Sequence, residues 1–349
     1  MERKNDKRPR QPYSTGIEKL DAKIAELVAE FGNGENNELV KDIATTGFRL
    51  FRDNISKLDI KIINASLKEI FYAFSVFSKF RDKKKVSIFG SARTPEGTPD
   101  YEAAKDFGAK IAGAGYMVIT GAGAGIMGAG NEGAGLENSF GVSIRLPFEN
   151  ETNPFIAKER LINFKYFFTR KLVFAKETDA IVLFPGGFGT LDEAFELLTL
   201  LQTGKGNPLP VIMLEAPGGT FWPNFEKFVK SEMLERGLIS AEDSALYRIC
   251  KNSEEAVAEI DNFYKNYHSI RFVADRLVLR MRREIPDDAL AVLNSKFSDI
   301  VPAGAIEKSK PLAEEANEND LLNLPRLVFK FNKRAYARLR MLINEINRH

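Results

Sequence analysis

Ala180-Ile181-Val182-Leu183-Phe184-Pro185-Gly186-Gly187-Phe188-Gly189-Thr190-Leu191-Asp192-Glu193 decides how the rest of the chain is read. Its first five residues are apolar and uncharged, the signature of a strand buried on both faces. Pro185 and two glycines end that strand, a third glycine follows, and Thr190 opens a helical stretch over Leu191 to Thr203. Strand, glycine turn and helix N-terminus in this order aim backbone N–H groups and partial positive charge at an anion. The lysine of a triphosphate-binding P-loop is missing, so the loop suits a monophosphate held by amides, with no metal.

Outward from this loop, short apolar runs alternate with longer amphipathic ones between Lys85 and Tyr267. Strands are predicted at Val86 to Phe89, Tyr116 to Thr120, Gly141 to Leu146, Ala180 to Phe184, Val211 to Leu214 and Tyr247 to Cys250. Helices are predicted at Tyr101 to Gly113, Phe164 to Lys176, Leu191 to Thr203, Phe225 to Arg236 and Glu254 to Tyr264. Strands alternating with helices imply crossover connections and a parallel sheet covered on both faces. The fold class is α/β: a Rossmann-like, doubly wound parallel sheet with a helical N-terminal prefix and an α/β C-terminal extension. The expected divisions are a helical extension over 1–84, a catalytic domain over 85–267 and a C-terminal extension over 268–349.

Two further glycine loops follow predicted strands. Gly90-Ser91-Ala92 ends the first strand, where open α/β sheets bind ligands, and makes Gly90 and Ser91 candidate substrate contacts; an ordinary strand-to-helix turn would look the same. Gly121-Ala122-Gly123-Ala124-Gly125-Ile126-Met127-Gly128 contains G-x-G-x-x-G at Gly123, Gly125 and Gly128, with Glu149 about 20 residues on, as a dinucleotide site requires. It follows the second strand rather than the first, however, and close helix packing would also explain its glycines. Gly123 and Gly125 are taken as substrate-binding candidates.

The flanks read differently. Leu20, Ile24, Leu27, Val28 and Phe31 form one helical stripe, and Leu67, Ile70, Phe71, Phe74 and Phe77 another. After His268 a charged helical run is predicted to Glu284, then a polar acidic loop over Glu307 to Asp320, a strand over Leu327 to Phe331, and a basic amphipathic helix over Lys333 to Ile346. The basic helix suits a solvated face or an intersubunit contact better than nucleic acid.

Composition removes several function classes. The 349 residues hold 50 Lys and Arg against 48 Asp and Glu, a formal charge of +2, which excludes a globally basic nucleic-acid binder. A single cysteine, Cys250, makes no intrachain disulfide, and two histidines, His268 and His349, are too few for a Cys/His zinc cluster. The charged N-terminus has no apolar run behind it, and no stretch reaches the ~18 apolar residues of a membrane span; a cytoplasmic location is expected. Carboxylate and arginine chemistry is the better place to look for catalysis.

The run Pro185 to Glu193 resembles the PGGxGTxxE signature of the LOG ("Lonely guy") family, the cytokinin riboside 5′-monophosphate phosphoribohydrolases and their bacterial relatives. Phe167-Phe168-Thr169-Arg170-Lys171 resembles that family's Arg-Lys pair, and Gly121 to Gly128 its glycine-rich loop. The resemblance covers about Lys85 to Tyr267, and the flanks resemble longer bacterial members. It implies a phosphate cradle at Gly186, Gly187, Gly189 and Thr190, substrate contacts at Arg170, Lys171 and Thr199, and the catalytic pair Arg170 and Glu193. A further substrate carboxylate falls near Glu149 or Glu151. The implied reaction is hydrolysis of the N-glycosidic bond of a nucleoside 5′-monophosphate, AMP or a cytokinin riboside monophosphate, to free base and ribose 5-phosphate, without a cofactor. The implied assembly is a homodimer or higher homo-oligomer with the site near the subunit interface.

Bland readings stand beside these. Thr190-Leu191-Asp192-Glu193 is also a capping box, and Arg170 could be a solvated helix arginine. A non-hydrolytic nucleotide or phosphorylated-cofactor carrier on the same fold is the alternative to hydrolysis, with an NAD-type oxidoreductase third. The residues leave the preferred base open.

Overall fold

A computed structural model of the chain describes residues 13–32, 34–144 and 153–349. They divide into two compact units, the first ending at Lys68 and the second spanning Glu69–His349. In the first unit, α1 (Glu18–Phe31) and α2 (Asn37–Arg52) pack together. Asp21 of α1 ties down the preceding turn, accepting from the Thr15 N–H at 2.7 Å and the Thr15 hydroxyl at 2.8 Å. The helix α3 (Lys57–Phe77) crosses the boundary, and its later residues Ala73, Val76 and Phe77 are buried in the core of the second unit.

The second unit runs β1 (Lys85–Phe89), α4 (Pro99–Gly113), β2 (Met117–Thr120), α5 (Ile126–Ala134), β3 (Ser139–Ile144), β4 (Leu161–Phe164), α6 (Phe167–Glu177), β5 (Ala180–Leu183), α7 (Phe188–Thr203), β6 (Val211–Leu214), α8 (Phe221–Phe228), β7 (Arg248–Cys250) and α9 (Ser253–Phe263). Seven parallel strands form one sheet in the order β4-β3-β2-β1-β5-β6-β7. This is the Rossmann-like α/β sheet that the alternation of runs predicts. Successive side chains of a strand face opposite sides: Val86, Ile88, Ala180 and Val182 join the core under α4, α5 and α9, while Phe89, Ile181 and Leu183 join the one under α6, α7 and α8. The strand order reverses at β1. The chain steps outward through β2, β3 and β4 on one side and through β5, β6 and β7 on the other, and such a switch point opens a crevice beyond the strands' C-terminal ends.

The C-terminal segment corrects the reading of the sequence. Residues 268–284 are not a helix: β8 (Tyr267–Val273) and β9 (Arg276–Met281) form an antiparallel hairpin. Ala274 and Asp275 make its two-residue turn, with Ala274 at φ 54° where glycine or asparagine is usual, so no turn residue marked it. After α10 (Asp287–Lys296), the stretch expected as a polar acidic loop supplies β10 (Glu307–Ser309) and a buried carboxylate. Glu315, fully buried, accepts from Arg280 Nη2 at 2.5 Å and pairs with Arg326 Nη1 at 2.9 Å. With β11 (Arg326–Lys330) the second sheet has the antiparallel order β10-β11-β9-β8.

The last helix, α11 (Tyr336–Ile346), is a core element, not a solvated basic face. Leu339, Leu342, Ile343 and Ile346 are buried in the C-terminal core. Arg340, 5% exposed, bonds the Leu209 carbonyl at 3.2 Å and Glu259 at 2.7 Å, and Arg338 pairs with Asp299 at 2.7 Å. Its positive charges are therefore consumed inside the unit.

Candidate functional site

The loops that leave β1 and β5 meet at the switch point. The N–H of Ser91 donates to the Pro185 carbonyl at 3.1 Å, and the N–H of Ile126 donates to the Ser91 carbonyl at 3.1 Å, tying all three glycine loops together. Two glycines make this possible. Gly125 has φ +63°, and a Cβ there would lie 2.4 Å from the Ser91 carbonyl oxygen; a Cβ on Gly186 would lie 2.1 Å from Thr190 Oγ1. Behind the loop after β2, the buried Asn131 accepts from Thr120 Oγ1 at 2.6 Å, and that hydroxyl accepts from the Ala122 N–H at 3.0 Å. Ala122 is thereby held at φ 63°.

Between these loops lies a cleft of about 800 Å³. Gly90, Ser91, Gly123, Arg170, Gly186, Gly187, Gly189, Thr190 and Glu193 all line it. The capping box does not form: α7 starts at Phe188 with Gly187 as N-cap and no side-chain cap, because the extended Gly187 lets the helix begin two residues before Thr190. Among the described residues, no group accepts from the N–H groups of Phe188 and Gly189, the orphan donors that open any helix. They give the cleft floor an anion-binding character.

Glu193 lies within α7, 6% exposed. Burial pushes its carboxyl up to about 7, against the opposing pull of Lys171 and Arg170. A carboxyl balanced near neutrality suits proton transfer or charge stabilisation in a water-poor site. Arg170 comes from α6. Its Nε donates to the Val142 carbonyl of β3 at 2.9 Å, its guanidinium lies 5.3 Å from the Phe174 ring centroid, and its Nη2 sits against Gly121. It is thus a held arginine rather than a solvated one.

Three expected contacts fall elsewhere. Lys171 does not line the cleft; it pairs with Glu196 at 2.6 Å, Asp192 at 2.9 Å and Glu193 at 3.8 Å, since α6 turns it toward the acidic face of α7. Burial works against its charge, but the bonds to Glu196 and Asp192 and the field of Glu193 outweigh it and raise its pKa. Thr199, nearly two turns beyond Glu193, opens on a separate small cavity with Phe225 and Tyr247. Gly125 shapes the loop crossing without reaching the cleft surface. Glu149 and Glu151 lie outside the described residues.

Sequence reasoning missed part of the wall. Met127, Ile144, Phe167 and Phe221 make it apolar, and Arg93 and Asp192 stand among its polar residues. Phe167 and Asp192 sit inside motifs already singled out. Phe221 carries no such signal and reaches the cleft only because Glu215 accepts from the Phe221 and Trp222 N–H groups at 3.0 Å each, fixing the start of α8.

Residues 123–260 match the model of a protein family described as "Possible lysine decarboxylase". A cytokinin riboside 5′-monophosphate phosphoribohydrolase of Arabidopsis thaliana is 28% identical over 101 residues, 29% of this chain and 46% of its own length. A second one from that plant is 29% identical over 114 residues, 33% of this chain and 50% of its own length. The matched stretch is thus similar to part of the cytokinin riboside 5′-monophosphate phosphoribohydrolases. The chain spans about half the length of these curated relatives. Solved structures similar to the chain include the molybdenum cofactor binding protein of Rippkaea orientalis, 21% identical, covering 51% of this chain and 96% of that one with a TM-score of 0.37. The molybdenum cofactor carrier protein of Chlamydomonas reinhardtii is 22% identical over the same shares, with a TM-score of 0.35. The cleft does not fit decarboxylation through a Schiff-base lysine, because no lysine among the described residues lines it and Lys171 is held charged by three carboxylates.

Proposed function

We propose that the protein hydrolyses the N-glycosidic bond of a nucleoside 5′-monophosphate, releasing free base and ribose 5-phosphate. The observation that carries this reading is the buried Glu193 in the same cleft as the open N-terminus of α7 and Arg170. The 5′-phosphate sits on the amides of Phe188 and Gly189, beside Gly186, Gly187 and Thr190. The base lies against Met127, Ile144, Phe167 and Phe221, and AMP and cytokinin riboside monophosphates both meet this description. As the bond from C1′ to the base nitrogen breaks, positive charge builds on the ribosyl ring; ionised Glu193 stabilises it, orients the water that adds to C1′ and takes the proton that water loses, while the departing base nitrogen takes up a proton to leave as the neutral base. Arg170 holds negative charge on the phosphate or the departing base. The chemistry needs no cofactor.

The assembly belongs to the same reading. Phe167 and Phe188 of the cleft, at 53% and 94% exposed, and Phe168 and Leu172 of α6, at 56% and 49%, leave apolar surface open to solvent. Patches of this kind mark association surfaces, and a homodimer or larger homo-oligomer is proposed to cover it. Incubation with a panel of nucleoside 5′-monophosphates, followed by assay of free base and ribose 5-phosphate, tests the function. Both products from at least one substrate are expected; tight binding of every nucleotide without products would make the protein a carrier.

A further inference from the structure

The start of α6 is held by a residue from outside the glycine motifs. Glu69 of α3 accepts from the Lys165 N–H through Oε1 at 2.8 Å and from the Thr169 hydroxyl through Oε2 at 2.8 Å. Thr169 is fully buried, and α6 has no side-chain cap of its own at Tyr166. Phe167 and Phe168 are more than half exposed, so burial secures the first turn of α6 on one side only. A carboxylate near a helix N-terminus is favoured by the helix dipole, and here it joins the backbone just before α6 to the side chain of the third helical residue.

The two residues after Thr169 are the ones whose direction matters. Arg170 lines the cleft, and Lys171 reaches Glu193, Asp192 and Glu196. A working site holds such groups within about 0.5 Å and 10–20°. We propose that Glu69 is a positioning residue for the cleavage reaction, fixing the first turn of α6 so that Arg170 enters the cleft and Lys171 meets Glu193. This rests on the phosphoribohydrolase reading. The charged groups that act on Glu193 are Lys171 and Arg170 from α6 and Asp192 and Glu196 from its own helix. Loosening α6 withdraws the two cations and leaves the two anions, so the Glu193 carboxyl becomes harder to ionise.

Glu69→Ala, Glu69→Gln and Thr169→Val test the proposal. Glu69→Ala is expected to lower kcat on the best monophosphate about tenfold or more with a smaller change in KM, and to move the acid limb of the pH–rate profile to higher pH. Glu69→Gln restores most of the activity: its carbonyl accepts from the Lys165 N–H, and its amide donates to Thr169 Oγ1, whose proton then goes to the Tyr166 carbonyl, already 2.9 Å away. A ¹³C titration of the Glu193 carboxyl, assigned through Glu193→Gln, should shift upward in Glu69→Ala. A Glu69→Ala protein that melts earlier but keeps wild-type kcat and an unmoved Glu193 titration overturns the proposal, leaving a helix cap only. If Glu69→Ala does not fold, Thr169→Val, which keeps the Lys165 bond and loses the other, carries the same comparison. A wild-type protein that cleaves no monophosphate overturns the phosphoribohydrolase reading, while the Glu193 titration still decides whether Glu69 sets the Lys171–Glu193 contact.

Discussion

Glu193 gives opposite signs to stability and activity. Its carboxyl sits at about 7 in the folded chain because burial penalises the charge, whereas the unfolded chain titrates near the ordinary glutamate value. A pKa raised by folding contributes stability that is fully present below the unfolded value and lost as pH rises through the folded one. Between roughly pH 4.5 and 7, then, ionising Glu193 costs stability on the order of 3 kcal/mol. Glu193→Gln removes that cost, so its melting temperature should exceed the wild type's at pH 8 and converge with it toward pH 4.5. The same substitution should lower kcat about 10²-fold or more. Differential melting across pH and steady-state kinetics check the two halves, and a variant that keeps wild-type kcat removes the catalytic assignment. Wild-type activity should rise with pH through about 7, as the carboxylate forms.

At the scale of elements, the joint between α7 and α11 is the most demanding. Gly204 ends α7 in the left-handed region at φ +69°, and a Cβ there would fall 1.8 Å from the Tyr336 ring. Gly204→Ala therefore meets backbone strain and a ring that is itself packed against Phe331, 5.2 Å between centroids. It should destabilise the fold by about 1–3 kcal/mol or more, seen as a lower denaturant midpoint; an unchanged midpoint would mean that α11 docks loosely. The parallel sheet and the motif from β5 into α7 were legible in the sequence because uncharged apolar runs and glycine turns mark them directly. The strand β4 was not: Leu161 to Phe164 is four residues at a sheet edge, with Asn163 exposed, and Phe164 blended into the helical run behind it. The hairpin of β8 and β9 was hidden by its charges, since Arg280 is buried only through Glu315 and Glu318, far along the chain. Lys171 entered as a substrate contact through the resemblance of Arg170-Lys171 to a family motif, which says nothing of the carboxylates that α7 brings to it. Glu69 escaped for the same reason, its partners lying about 100 residues away.

For the whole molecule, two consequences separate folding from assembly. Removing Pro325 to His349 takes away β11, which pairs with both β9 and β10, together with the buried side of α11. That truncation should abolish cooperative unfolding and soluble expression rather than only change oligomer mass. The proposed homo-oligomer is tested at these exposed apolar side chains: Phe168→Asp with Leu172→Asp should lower the sedimentation mass while far-UV dichroism is kept, and an unchanged mass would contradict association through them. In the proposed reaction the whole cleft acts together: the amides of α7 hold a phosphate while Glu193 and Arg170 act on the glycosidic bond. Desolvated donors left without their anion discriminate strongly, so the decisive measurement is kcat/KM for AMP against adenosine with the wild-type protein. A ratio of about 10²-fold or more in favour of the monophosphate is predicted; equal values, with both cleaved, would contradict the phosphate cradle and the account built on it.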